Sequence, residues 1–289
     1  MPSENRPPAP EAAAACVRAL NRAARRRSTP CGTGAMIWRT WGAGEPLVLL
    51  HGGYGSWTHW LRAIPELSRH YELWVPDIPG LGDSAVPPGP RTPASSAAVV
   101  AAGIGEIFPA GVRLRLAGFS FGGHVATLAA ARLGARVRDL VLIGVAALGL
   151  KSEPRPPFAK ERTGMSGSER AEVHRRNLEI LMFADPARID AVAVHLQVEN
   201  VRRARFHSRP FAATDEIART LPAVTARLKT VWGSRDVLAR PSLDERLAIL
   251  RRHHPELQVR IVEGAGHWVM YEAPEAFCIA LLDLLGAAA

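Results

Sequence analysis

The sequence predicts an α/β fold: a mostly parallel sheet with helices on both faces and an inserted helical cap. Short apolar runs alternate with longer helical stretches up to about residue 147, which is the pattern of strand–helix–strand units. Two helical stretches follow without a strand between them, and apolar runs resume at residue 228. A chain of 289 residues that is 47% hydrophobic can bury the core of such a fold.

The predicted strands are short apolar runs that end at turn residues. Residues 46–50, Pro-Leu-Val-Leu-Leu, end at His51-Gly52-Gly53, as a buried parallel strand does. The strand at 71–75 is closed in the same way by a turn that begins Pro76-Asp77. In chain order, the predicted strands span 36–41, 46–50, 71–75, 112–117, 137–143, 228–232 and 258–262.

The predicted helices are the longer stretches between loops. Residues 11–27 can form a short N-terminal helix, and Asp185-Pro186 begins a later one with an N-cap followed by proline. The other predicted helices span 94–107, 121–133, 168–183 and 274–285, and the one begun by Asp185 continues to 206. The predicted domains are an N-terminal arm with its short helix (1–35), a core (36–147 and 219–289) and a helical cap (148–218).

Charge and cysteine content exclude several classes of protein. The net charge is +9, but Lys occurs only at three positions, and an Arg-heavy composition without a nucleic-acid-binding module does not predict a nucleic-acid partner. No apolar run reaches the ~18 residues that span a bilayer. Cys16, Cys31 and Cys278 lack metal-site spacing. We therefore expect a cytoplasmic protein with a small-molecule substrate and neither metal nor cofactor, and a homo-oligomer stays open.

A nucleophile motif lies between a predicted strand and a predicted helix. Gly118-Phe119-Ser120-Phe121-Gly122-Gly123 contains Gly-x-Ser-x-Gly, which in this context forms a tight turn that projects the serine above the sheet. The helix N-terminus behind the serine favours developing negative charge. Because Gly and Ser are also common in ordinary turns, the flanking strand and helix carry the prediction that Ser120 is a nucleophile.

A base and a carboxylate follow the last two predicted strands. His267 lies in Gly264-Ala265-Gly266-His267-Trp268, and Asp236 lies in the loop just after the strand at 228–232. A surface histidine and a turn aspartate are the ordinary alternatives. The order Ser120, Asp236, His267 is nevertheless the order of a Ser-Asp-His triad on an open α/β sheet. We therefore predict that His267 is the general base and that Asp236 orients it.

Donors for an oxyanion are predicted in the loop after the strand at 46–50. The backbone N–H groups of Gly53 and Phe121 form the expected pair, since the loop that carries Gly53 can turn its N–H groups toward Ser120. His51 is expected to fix its loop by hydrogen bonding rather than to take part in catalysis. Three arginines of the cap, Arg202, Arg203 and Arg205, are expected to supply at least one contact to a substrate carboxylate.

With these motifs in order, residues ~36–286 resemble the α/β-hydrolase family, in its serine-nucleophile branch. Within that family the chain is most similar to the meta-cleavage-product hydrolases, which cut carbon–carbon bonds, and to related esterases. The similarity lies in Gly122-Gly123, in His267-Trp268 and in the cap arginines. The chain departs from the group at Phe119, where Asn is usual, so a polar pocket beside the serine is not expected. Trp268, which follows the predicted base, and Phe119, which precedes the predicted nucleophile, are expected as further substrate-binding residues.

Three functions remain open from the sequence. The resemblance implies a hydrolase for 2-hydroxy-6-oxo-dienoate products of aromatic ring fission. Phe119 and Phe121 beside the serine instead favour a carboxylesterase or thioesterase for small apolar esters. A non-catalytic ligand-binding receptor on the same fold is the third interpretation, and a complete set of nucleophile, base and carboxylate argues against it.

Overall fold

The computed structural model describes residues 10–151 and 153–287 and contains one eight-stranded sheet in that part of the chain. The strand order is β1-β2-β4-β3-β5-β6-β7-β8. The strands are β1 (Arg25–Cys31), β2 (Gly34–Trp41), β3 (Pro46–Leu50), β4 (Glu72–Pro76), β5 (Leu114–Phe119), β6 (Val137–Ile143), β7 (Arg227–Gly233) and β8 (Gln258–Val262).

Strands β3 to β8 are parallel to one another, and β2 pairs antiparallel with both β1 and β4. The predicted class, a mostly parallel sheet with helices on both faces, is confirmed. The carboxyl ends of parallel strands lie at one edge of a sheet, where α/β proteins bind their ligands. The loops that follow β3, β5, β7 and β8 therefore meet at this edge.

The helices confirm most of the predicted segments and correct others. Within the described residues they are α1 (Pro10–Ala23), α2 (Ile64–Leu67), α3 (Pro93–Ile107), α4 (Phe121–Leu133), α5 (Gly167–Leu181), α6 (Ala191–Arg203), α7 (Glu216–Thr220), α8 (Leu243–His253), α9 (Val269–Glu272) and α10 (Pro274–Leu285). None of these helices is both long and apolar enough to cross a bilayer.

Two predicted helices were too long. The N-terminal helix ends at Ala23 instead of continuing to residue 27, because residues 25–31 form the edge strand β1. This strand has no alternation of apolar and polar residues that would predict it, because it begins with the exposed Arg25, Arg26 and Arg27. Charged side chains are usual on edge strands. The predicted helix at 186–206 is a short 3₁₀ turn and then α6, whose N-cap Asp190 accepts a hydrogen bond from the backbone of Ala193.

Apolar side chains fill both faces of the sheet. Along β6, Leu140 and Leu142 belong to one buried cluster, whereas Val141 and Ile143 belong to the other. This alternation follows from the two-residue period of a strand. Because helices cover both faces, the sheet is a rigid base for the loops at its carboxyl edge.

The chain between β6 and β7, residues 144–226, is here called the insertion. Its helices α5 and α6 pack against each other, and α1 of the N-terminal arm packs on α6. The arm is also tied to β2, because Trp41 Nε1 donates to the carbonyl oxygen of Leu20 at 3.1 Å and Arg39 Nε donates to Asn21 Oδ1 at 2.7 Å. The predicted domain limits stay predictions.

Candidate active site

Ser120 occupies a sharp turn between β5 and α4. Its backbone has φ 52° and ψ −118°, a conformation that costs a non-glycine residue about 1–3 kcal/mol and that clusters at functional sites. A Cβ on Gly118 would lie 2.4 Å from the carbonyl oxygen of Gly122, and one on Gly122 would lie 2.4 Å from that of His51. The glycines on either side of Ser120 are therefore required for the turn to pack.

His267 and Asp236 form a buried hydrogen-bonded pair at the same edge of the sheet. His267 Nδ1 donates to Asp236 Oδ2 at 2.9 Å, and the two side chains are 2% and 1% exposed. The other carboxylate oxygen of Asp236 accepts from the backbone N–H of Leu238 at 2.8 Å. With both oxygens engaged, the carboxylate fixes the imidazole, and Nε2 is left for another partner.

Asp236→Asn is expected to lower kcat by roughly 10³–10⁴-fold with little change in fold, because an amide cannot stabilise the imidazolium or enforce its tautomer. The measurement is kcat on an ester substrate, with circular dichroism to verify the fold. Asp139→Asn is the matched control, since Asp139 is equally buried but binds Arg115, Arg227 and Lys229 at the opposite end of the sheet. A normal kcat for Asp236→Asn would reject the orienting role.

The 51–58 loop, which follows β3, comes close to the turn that carries Ser120. A Cβ on Gly53 would lie 3.5 Å from Cβ of Phe121. The N–H of Phe121 is at the first position of α4, where it has no partner within the helix. Gly53, Ser120 and Phe121 all line one cavity. The two predicted oxyanion donors are thus on adjacent backbone segments beside the predicted nucleophile.

Two buried histidines hold the 51–58 loop. His51 Nδ1 donates to the carbonyl oxygen of Gly52 at 2.8 Å, and His51 Nε2 accepts from the N–H of Ile78 at 2.9 Å. His59 Nδ1 accepts from the N–H of Gly52 at 3.2 Å. Both polar groups of Gly52 are therefore used, which orients the peptide that leads to Gly53.

Both histidines are neutral at neutral pH. Burial lowers the pKa of His51, with a partly opposing effect of the Asp77 carboxylate. Burial holds the pKa of His59 well below its usual value, and the neighbouring His51 and His267 lower it further. The loop-fixing role that the sequence predicted for His51 agrees with its contacts. His59 was missed because it lies in a short 3₁₀ turn, Trp57–Trp60, outside any motif.

A cavity of about 750 Å³ opens above Ser120, between the core loops and the insertion. His267 and Phe119 line it, as does much of α5 and α6. Its wall is mainly apolar and includes Phe121, Phe158, Leu181, Met182, Val198 and Leu238. Its cationic lining residues are Arg155, Lys160, Arg170, Arg202 and Arg209. The space suits a small apolar molecule with a negatively charged end.

One residue implied as substrate-binding lies outside the cavity. Trp268 is fully buried, its Nε1 donates to the carbonyl oxygen of His59 at 2.8 Å, and its ring packs on Tyr271 with centroids 4.3 Å apart. The substrate contact expected of Trp268 is therefore not supported: its side chain holds His59, which in turn binds Gly52. Phe119, 1% exposed, does line the cavity, and its ring lies 4.8 Å from that of His267.

The three predicted cap arginines have different surroundings. Arg203 Nη1 donates to Asp83 Oδ1 at 2.8 Å, and Arg205 Nη2 donates to the carbonyl oxygens of Gly82 and Ser84. These two side chains join the insertion to the 77–84 turn, so the substrate role expected of them is not supported. Arg202 lines the cavity, but it is exposed and pairs with Glu199 at 2.8 Å.

Two cavity-lining arginines that the sequence did not single out have no such partners. Arg155 and Arg209 make no ion pair or side-chain hydrogen bond with the part of the chain that the structure describes. The guanidinium carbon of Arg209 lies 4.2 Å from the centre of the Phe158 ring and 5.0 Å from that of Tyr54. Burial lowers the pKa of Arg155; the Asp236 carboxylate opposes this effect in part, and the nearby Arg209 adds to it.

The sequence and the fold are similar to those of known proteins. The model of the alpha/beta hydrolase family matches residues 47–280. The chain is 40% identical to 2-hydroxy-6-oxo-2,4-heptadienoate hydrolase of Pseudomonas putida over 115 residues, which are 39% of this chain and 41% of that protein. It is 27% identical to 2-hydroxy-6-oxo-6-phenylhexa-2,4-dienoate hydrolase of Burkholderia cepacia over 84% of this chain and 88% of that one.

A solved bacterial structure also resembles this one. It is a membrane phospholipase A described as a virulence factor, with a TM-score of 0.73 and 25% sequence identity over 96% of this chain and 91% of that chain. The names of these relatives point to different substrates: the curated relatives are dienoate hydrolases, and the solved structure is a phospholipase A.

Proposed function

We propose that this chain, which belongs to the alpha/beta hydrolase family, is a serine hydrolase of small carbonyl compounds with Ser120, His267 and Asp236 as its catalytic residues. The observation that carries the proposal is the hydrogen bond between His267 and Asp236 at the cavity that Ser120 lines. The strained backbone of Ser120 is a second support.

The reaction follows from these positions. His267 removes the proton from Ser120 as its oxygen attacks the substrate carbonyl, and Asp236 stabilises the imidazolium. The N–H groups of Gly53 and Phe121 bind the oxyanion. His267 then gives the proton to the leaving group and activates the water that releases the acyl group.

For the substrate, we favour a carbon–carbon bond of a 2-hydroxy-6-oxo-dienoate. The names of the two curated relatives support this class, and so does the cationic part of the cavity wall, which suits a carboxylate. A carboxylesterase or thioesterase for small apolar esters is the second candidate. The mainly apolar wall favours it, with Phe119 against His267 in place of a polar residue beside the serine.

Two measurements test the proposal. A fluorophosphonate probe should label Ser120 covalently, as found by peptide mapping, and an unlabelled serine would favour the receptor interpretation. A panel of p-nitrophenyl esters of increasing acyl length, measured beside a dienoate ring-fission product, separates the two substrate classes. A kcat/KM for the dienoate that exceeds every ester supports carbon–carbon hydrolysis, and the reverse order supports the esterase.

The substrate carboxylate is expected to bind Arg155 and Arg209 rather than Arg203 or Arg205. Arg155 and Arg209 line one cavity and make no salt bridge within the described residues, so their charges repel each other and a carboxylate between them would reduce that repulsion. Replacing either by Gln should lower kcat/KM for an acidic substrate roughly tenfold, or about 1.4 kcal/mol, since each of these arginines keeps part of its side chain in contact with solvent.

The comparison uses the acidic substrate and its methyl ester. Arg155→Gln and Arg209→Gln should weaken the acidic substrate selectively. Arg203→Gln is the matched control, because Arg203 binds Asp83 outside the cavity and should affect both substrates alike. Equal losses on both substrates for Arg155→Gln and Arg209→Gln would reject the carboxylate site.

A further inference from the structure

A buried asparagine of the insertion contacts the 51–58 loop. Asn200 lies on α6 and is 3% exposed. Its Oδ1 accepts from Ser56 Oγ at 2.7 Å, and its Nδ2 donates to Thr58 Oγ1 at 3.0 Å. Ser56 and Thr58 are also buried, and their hydroxyl oxygens lie 2.8 Å apart. The amide thus joins a helix of the insertion to the loop that carries Gly53.

The core holds the loop on its other side. The N–H of Trp57 donates to Asp77 Oδ1 at 2.7 Å, and His51 and His59 bind Gly52. Between these anchors, Tyr54 has φ 52°, which is rare for a residue with a side chain. A strained conformation persists only where its surroundings determine it fully. The loop therefore depends on contacts from both sides.

A second segment of the insertion touches the loop at Gly53 itself. A Cβ on Gly53 would lie 2.0 Å from Ser208 Oγ, so the serine packs directly on the glycine backbone. The next residue of the loop is held too, because the Tyr54 hydroxyl lies 3.1 Å from His207 Nδ1. Residues of the insertion thus contact the loop both before and after Gly55.

We propose that Asn200 is a positioning residue for the reaction: through Ser56 and Thr58 it sets where the N–H of Gly53 meets the oxyanion. The insertion is then part of the catalytic apparatus and does more than enclose the substrate. The inference rests on the proposed function, since it concerns the oxyanion of the same reaction. Removing one oxyanion donor costs about 10²–10³-fold in kcat, and displacing it by a fraction of an ångström costs less.

The test uses Asn200→Leu, which keeps the side-chain size and removes both hydrogen bonds. Relative to wild type, kcat on a p-nitrophenyl ester should fall by about 10–100-fold, with KM within about threefold. The inhibition constant of a trifluoromethyl ketone with the same acyl chain, which forms an oxyanion on the serine, should rise by about the factor by which kcat/KM falls. Glu199→Gln, on the same helix but paired with Arg202 and Arg203 at the surface, is the control.

A second variant keeps the test decisive if Asn200→Leu does not fold. Thr58→Val, of nearly equal size, removes the hydroxyl from the loop side and should lower kcat similarly. Where both fold, the double variant should lose little more than either single one, because both break one contact. A fall in apparent kcat without a change in the inhibition constant of the ketone would indicate only a smaller folded fraction of the enzyme, and it would overturn the proposal. A normal kcat would overturn it as well. If Ser120→Ala were active, the proposed function itself would fail.

Discussion

Ser120→Ala is expected to lower kcat by roughly 10⁵–10⁶-fold and to leave the fold intact. The substitution removes only the oxygen that attacks the carbonyl. Alanine has the same Cβ as serine, so it adds no strain at φ 52° and creates no new contact in the tight turn. The residual rate should still exceed that of the reaction in water, because the oxyanion donors and the cavity stay in place.

The measurement is kcat on the best substrate of the panel, with circular dichroism and thermal unfolding to verify the fold. The variant should also lose fluorophosphonate labelling. Ser68→Ala serves as the control, because the Ser68 hydroxyl is exposed and bonds only the carbonyl oxygen of Pro65 in the described structure. Activity of Ser120→Ala within tenfold of wild type would reject Ser120 as the nucleophile.

The sequence could predict the placement of Ser120, Asp236 and His267 for a simple geometric reason. Each residue follows a parallel strand, β5, β7 or β8, by at most five positions. The carboxyl ends of such strands share one edge, so strand order and loop length already bring the three loops to the same side of the sheet. The glycines around Ser120 add a local requirement that is legible in the sequence, because a Cβ at either would clash with backbone.

The sequence could not place the arginines. Arg202, Arg203 and Arg205 are close in sequence, but Arg202 and Arg203 point about 100° apart at the end of α6, and Arg205 lies beyond the helix. Which of them reaches the cavity depends on how the insertion sits on the 77–84 turn, where Asp83 also binds Arg26 and Arg39. The contact between Arg203 and Asp83 joins segments more than 100 residues apart, so no local sequence pattern predicts it.

Single polar residues that support the site could not be predicted from the sequence either. His59 and Asn200 belong to no motif. His59 bonds Gly52, seven residues away, through a short turn, whereas Asn200 bonds Ser56 and Thr58 across more than 140 residues. Trp268 shows the reverse case, since its position beside His267 fits a substrate contact whereas its side chain points into the core. Adjacency in sequence says little about which face of a loop a side chain takes.

His267→Ala is expected to be nearly as damaging as Ser120→Ala, with kcat lower by about 10⁵-fold or more. Without the imidazole, no group removes the serine proton or returns it to the leaving group. Because the two residues act as a unit, the double variant Ser120→Ala, His267→Ala should be no slower than Ser120→Ala alone within a few-fold.

His124 is the matched control for this prediction. It also lines the cavity, one turn after Ser120, and its Nε2 lies 2.7 Å from Glu216 Oε2, so it too is a histidine paired with a carboxylate. Burial lowers its pKa, and Glu216 opposes that effect in part. His124→Ala should change kcat by less than about tenfold, because its hydrogen bond to Glu216 joins α4 to α7 of the insertion and is a structural contact. If His124→Ala lost activity by about 10⁵-fold while His267→Ala stayed active, the general base would be His124 on α4 and not His267 after β8. Losses that add in the Ser120→Ala, His267→Ala double variant would contradict a shared mechanism.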